Sequence, residues 1–150
     1  YMVLPMSLAL RYPEVCGFYT STVSRIDQMI LSRFMEQGYF ERHLNRMRGI
    51  YRTKHDLLLD ALEDFRGAFR ISGEMAGLHV LLESVEGRRE EELQNLAEQA
   101  GVQVYPLSSY YLKPDVSRTV LPGYANLTEE EILEGVHRLR EAWLESAGNE

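Results

Sequence analysis

At 150 residues, 45% hydrophobic and 26% charged, the chain has the size and make-up of one globular domain that buries roughly 70% of its unfolded surface. A net charge of −7 argues against a dedicated nucleic-acid-binding module, which would be basic. The lone Cys16 excludes an intramolecular disulfide, which makes a reducing cytoplasm the default compartment, and no run reaches the ~18 apolar residues of a membrane span.

Tyr1 to Leu4 reads as a short strand stopped by Pro5, which cannot donate to a ladder. This opening has no charged stretch before it, unlike a signal peptide, and it starts without an initiator methionine; the expectation is a piece of a longer protein. Leu8 to Val15 is ambiguous, because Pro13 breaks a helix there. Thr22 to Gln37 predicts a helix with Ile26, Met29, Ile30 and Phe34 at core spacing and Gly38 as its stop. Phe40, Leu44, Met47, Tyr51, Leu58, Leu62 and Phe65 then form one stripe of a 3.6-period helix. At 1.5 Å per residue, a helix of roughly 25 residues is about 37 Å long, enough to act as a spine for a sheet. Arg42, Arg46, Arg48, Arg52 and Lys54 lie between its apolar positions with His43 and His55. Such a run is a solvated basic face or, more sharply, a phosphate or nucleic-acid contact.

Gly67 ends the spine, and Ala68 to Ser72 predicts a strand followed by a turn at Ser72-Gly73-Glu74. Ala76 to Glu83 is a second strand, and Arg89 to Ala100 an acidic helix with Leu93, Leu96 and Ala97 inward, capped by Gly101. Val102 to Tyr105 is a third strand, Ser108 to Ser117 a tyrosine-bearing loop, and Thr119 to Ala125 a fourth strand. Thr128 with Glu131 makes a capping box that opens a last helix through Ile132, Val136, Leu139 and Trp143. This order predicts an α+β fold, with a small antiparallel or mixed sheet packed against helices, in a single domain over 1–150.

The usual chemical signatures are missing: the chain has no phosphate-cradling glycine loop, paired Cys/His metal spacing or nucleophile elbow. Ser21, Ser24 and Cys16 have no base at a telling spacing, so neither a catalytic residue nor a metal ligand is assigned. Cys16 reads as a buried small apolar group.

Four strings, taken together, resemble one family. They are Tyr1-Met2-Val3-Leu4-Pro5; Glu41-Arg42-His43-Leu44-Asn45-Arg46-Met47-Arg48 with Tyr51; Ala76-Gly77-Leu78-His79; and Leu121-Pro122-Gly123-Tyr124-Ala125. In order and spacing they are similar to the C-terminal part of the MocR group of GntR-type bacterial transcription regulators. In that group a winged helix-turn-helix is fused to a domain like a fold-type I aminotransferase. The resemblance spans the whole chain and implies the small C-terminal domain of that fold, with 1–20 the end of the large pyridoxal-phosphate-binding domain.

It further implies pyridoxal 5′-phosphate as cofactor, held by a Schiff-base lysine upstream of Tyr1, a homodimer, an amino-acid or amine effector, and DNA binding through an N-terminal winged helix absent here. Neither Lys54 nor Lys113, the only lysines present, matches the family's lysine, and both read as surface residues. Arg118, five residues before Gly123, looks like the family's arginine that clamps the substrate carboxylate, a task suited to the paired donors of a guanidinium. An exposed strand-edge arginine is the alternative, and Pro122 departs from the small or apolar residue expected beside it. His79 is either a satisfied structural histidine or a residue near the ligand; Tyr110 and Tyr111 either anchor their loop on the sheet or line a ligand mouth. The free-standing aminotransferases of aminoadipate type, and a dimerisation module without ligand, stand as alternatives to the regulator.

Overall fold

The computed structural model describes residues 3–19, 23–73, 79–112 and 117–145. The chain divides into two compact units, Tyr1–Asn45 and Arg46–Glu150.

In the first unit, Met6–Cys16 forms a helix (α1) whose opening turn closes on the Pro5 carbonyl, which accepts from Leu8 and Ala9 at 2.9 Å. The expected strand before it is not formed at Val3 and Leu4, and the rest of that segment lies outside the described residues. Pro13 does not break α1, contrary to expectation. The ring removes one donor, but α1 buries no side chain, so the unmatched Ala9 carbonyl is left to water and the helix resumes beyond it. Cys16 is half-buried rather than buried.

Arg25–Glu36 forms the second helix (α2). Ser24 caps it by accepting from the Ile26 amide at 3.2 Å, and Gly38 stops it at φ +72°. The predicted Thr22 start lies outside the described residues. Its apolar face is not core: Ile26 and Ile30 are 70% and 62% exposed, and α2 buries nothing. Periodicity defines the face but cannot supply a partner for it.

Tyr39–Ala61 forms one unbroken helix (α3) of 23 residues, about 35 Å long. The spine is therefore present, though its burial is graded. Phe40 is exposed, Leu44, Met47 and Tyr51 are half-buried, and Leu58 is buried. A 3₁₀ turn at Glu63–Phe65 follows, carrying the stripe on through Leu62 and Phe65, both fully buried.

The second unit is built on a four-stranded antiparallel sheet of Phe69–Ser72 (β1), Leu81–Ser84 (β2), Val104–Pro106 (β3) and Thr119–Pro122 (β4), in the order β1-β2-β4-β3. Phe69 pairs with Ser84, Leu82 with Val120, and Tyr105 with Leu121. The early part of the predicted second strand, 76–78, lies outside the described residues; its later part is β2. Glu90–Gln99 (α4) and Glu129–Arg140 (α5) contribute Leu93, Ala97, Ile132, Val136 and Leu139 to the same core as Leu82, Val104 and Val120.

Local chemistry explains the helix ends. Gly101, at φ +75°, lets the Val102 and Gly101 amides turn back to the Ala97 and Glu98 carbonyls at 2.8 and 2.9 Å, so α4 closes its own last carbonyls. Thr128 and Glu131 exchange both bonds of a capping box, at 3.2 and 2.7 Å. After Arg140 the helix widens into a π turn, Glu141–Glu145, that drives Trp143 into the core. There its indole Nε1 donates to the Leu93 carbonyl at 3.0 Å, and its ring stands 5.2 Å from that of Phe69 and 6.3 Å from that of Phe65. The Trp143 carbonyl accepts from Arg88 Nη1 at 2.8 Å.

Candidate functional site

Arg118 stands immediately before β4 and is exposed. Its carbonyl accepts from the Ser84 amide at 3.0 Å, which ties the head of β4 to the end of β2. Its guanidinium lies beside the β2–α4 loop, where a Cβ on Gly87 would stand 3.8 Å from Nη1. The position leaves a planar cation facing solvent at the sheet's end.

Tyr110 closes a 3₁₀ turn at Leu107–Tyr110 and Tyr111 follows it. Both are exposed, at 61% and 58%, so the expected anchoring of these rings on the sheet is not found. The turn is held instead by Glu90, a buried carboxylate that accepts from the Ser108 amide at 3.2 Å. With that bond made, the tyrosine rings are not needed to fix the loop.

A cavity of about 670 Å³ opens in the second unit between the β4–α5 turn, the start of β3 and α5, and Arg118 does not line it. Leu58, Ile132, Val136, Leu139 and Tyr124 form an apolar floor continuous with the core. His79 reaches it through an isolated antiparallel bridge to Gly123, and is exposed. The charged groups of the rim are already engaged. Glu134 accepts from Arg138 Nε at 2.8 Å, and Glu131 is spent in the capping box. Those bonds hold both carboxyls below the usual carboxylate range; for Glu131 the largest cause is the Thr128 backbone amide, for Glu134 the Arg138 hydrogen bond.

Beside the cavity, α3 is tied to the β4–α5 turn. Lys54 Nζ donates to the Ala125 carbonyl at 3.0 Å, and the His55 and Tyr124 rings lie 6.1 Å apart. His55 Nδ1 is 3.2 Å from Asp56 Oδ1, while Nε2 is buried with no partner among the described residues. Burial, and secondarily the Asp56 charge, raise the Tyr124 hydroxyl above its ordinary pKa. Lys54 is therefore half-buried and structural rather than a free surface amine, which corrects the expectation made for it; Lys113 lies outside the described residues.

Among the described residues no group of His, Cys, Asp and Glu side chains is placed to hold a metal ion. Nor do they fit covalent attachment of pyridoxal phosphate, because the one described lysine is committed to a backbone carbonyl. The cavity is not foreseen in the sequence. Its Gly123 and Tyr124 belong to a string quoted above only for its resemblance, while Gly135, inside α5, carries a usable signal as a glycine within a helical pattern.

No family model matches the chain. It is 38% identical over 144 residues to an uncharacterized HTH-type transcriptional regulator, YdeL, of Bacillus subtilis (strain 168), an alignment covering 95% of this chain and 31% of that protein. It is 27% identical over 151 residues to the probable rhizopine catabolism regulatory protein MocR of Rhizobium meliloti, covering 99% of this chain and 31% of that one. Among solved structures, the α-aminoadipate aminotransferase LysN of Thermus thermophilus, complexed with N-(5′-phosphopyridoxyl)-L-leucine, superposes with a TM-score of 0.67. That match has 31% identity and covers 77% of this chain and 30% of the enzyme. The chain thus spans about a third of the length of the relatives it matches.

Proposed function

We propose that this chain, which matches the C-terminal, aminotransferase-like part of MocR-type transcription regulators, belongs to the effector-sensing domain of such a regulator. The carrying observation is that two HTH-type regulators are 38% and 37% identical over 95% of the chain, above the 26% and 30% of the aromatic-amino-acid aminotransferase of Thermococcus litoralis and the 2-aminoadipate transaminase of Thermus thermophilus. In this reading the complete protein works in the cytoplasm as a homodimer. It binds pyridoxal phosphate through a lysine outside this chain, and DNA through an N-terminal winged helix-turn-helix. The chain is one C-terminal subdomain, with 1–20 the end of the larger cofactor-binding domain. An amino-acid or amine effector shifts the dimer between two conformations, which requires that it bind one of them more tightly.

Arg118 is the residue proposed to meet an effector carboxylate. Its exposed guanidinium at the head of β4 supports that role, since two parallel donors can reach outward. The test uses the complete protein, with DNA binding titrated by amino acids in the presence of pyridoxal phosphate. Arg118→Ala is expected to weaken the response to a carboxylate-bearing effector by about 1.5–3 kcal/mol, roughly tenfold or more, and to leave the yellow absorbance of the bound cofactor unchanged. An unaltered titration removes Arg118 from the site. The second reading, an aminotransferase, is favoured by the 31% identity to LysN, and predicts turnover of an amino donor with no sequence-specific DNA binding.

A further inference from the structure

The first turn of α4 carries three consecutive carboxylates, Glu90, Glu91 and Glu92, all of which the positive end of a helix favours. Glu91 and Glu92 stay exposed, whereas Glu90 is buried, a cost that only hydrogen bonding offsets. The helix end therefore does not account for its burial, and its bonds do. Its carboxylate Oε2 accepts from the Ser108 amide at 3.2 Å. Its own backbone amide, one of those left free at the head of a helix, donates to the Ser117 carbonyl at 3.1 Å. Both ends of segment 108–117 are thus clasped by one residue.

Arg118 is the next residue out of that clasp. Its own carbonyl accepts from the Ser84 amide at 3.0 Å, and the buried Ser84 hydroxyl accepts from the Arg88 amide at 3.2 Å. The β2–α4 loop held in this way passes Gly87 beside the Arg118 guanidinium. The main chain around Arg118 is therefore tied to α4 on one side and to β2 on the other. We propose that Glu90 is the positioning residue of Arg118. Its carboxylate closes the segment that leads into β4, so the guanidinium is held ready for a carboxylate instead of being ordered at the expense of binding one. Removing that tether frees the upstream end of the segment, and the conformational freedom gained reaches the head of the strand that follows. The role rests on the assignment of Arg118 to the effector site made above.

The complete protein with pyridoxal phosphate bound is compared with its Glu90→Ala and Glu90→Gln variants. Hydrogen exchange reads the clasp directly, because the amides of Ser84 and of residue 90 donate to the Arg118 and Ser117 carbonyls. Both should exchange faster by on the order of tenfold in the alanine variant, and at the parent's rate in the glutamine variant, whose amide oxygen still accepts from Ser108. Unchanged exchange at both amides in the alanine variant overturns the proposal. Should that variant not fold, Glu90→Asp replaces it, keeping the charge in the first turn of α4 while drawing the carboxylate back by one methylene. DNA-binding titrations with an amino acid read the consequence. Glu90→Ala should raise the concentration needed by roughly threefold to tenfold, less than Arg118→Ala does, and Glu90→Gln should restore it. The absorbance change of the bound cofactor with an amine that lacks a carboxylate should match the parent's, which a general loosening of the fold would not spare. Equal losses for amine and amino acid, or faster exchange with an unaltered amino-acid titration, refute positioning. If Arg118→Ala itself leaves the titration unchanged, the assignment of Arg118 fails, and the exchange rates still decide whether Glu90 holds that residue.

Discussion

Tyr124 is the residue whose ionisation is tied most directly to the fold. Its hydroxyl is raised above the ordinary value of 10.0, first by burial and then by Asp56. A group raised in the folded state adds stability that is present below its unfolded pKa and is lost as pH rises through the folded one. The fold should therefore weaken above about pH 10, and Tyr124→Phe should flatten that alkaline decline while leaving stability at pH 7 within about 1 kcal/mol. Urea titrations of both proteins at pH 7 and above about pH 10 check it; an identical alkaline slope would show that burial leaves the Tyr124 hydroxyl unperturbed. Of the residues singled out from the sequence, Arg118 is placed just before β4 by the local strand pattern. The environment of Lys54 is not, because its acceptor on Ala125 is 71 positions away and no local pattern encodes it.

Elements are legible where their determinants are local. The capping box at Thr128 and Glu131, the stop at Gly38, the turn of α4 at Gly101 and the inward run from Ile132 to Trp143 all depend on residues within a turn or two of each other. The departures share a different cause. Pro13 looks like a breaker only while the solvent that relieves it is left out, and the α2 stripe looks like core although burial depends on what lies opposite. α3 shows both outcomes in one helix, exposed at Phe40 and buried at Leu58. Leu58→Ala should accordingly cost about 2–5 kcal/mol, as large-to-small changes in a packed core do. A denaturant midpoint equal to the parent's would mean that this end of the stripe is not packed.

For the molecule as a whole, apolar surface is distributed unequally between the units. The first carries Met6, Leu10, Phe18, Ile26 and Ile30 largely in solvent, whereas the second has a closed core. Single exposed apolar residues are ordinary, but so many on and between two helices that bury nothing leave a large sticky surface. Prepared alone, the 150-residue chain should bind the dye ANS and self-associate, and the complete protein should bind markedly less. Equal dye fluorescence per mole would show that these helices stay bare in the full assembly.

Trp143 is the only tryptophan of the 150 residues, and it sits wholly inside the second unit. Its emission is thus a built-in gauge with a restricted field of view. It will shift to the red when the sheet and α5 come apart, and will stay silent while residues 1–45 melt. A melt that circular dichroism sees and this fluorophore does not would show the two parts of the chain letting go at different temperatures.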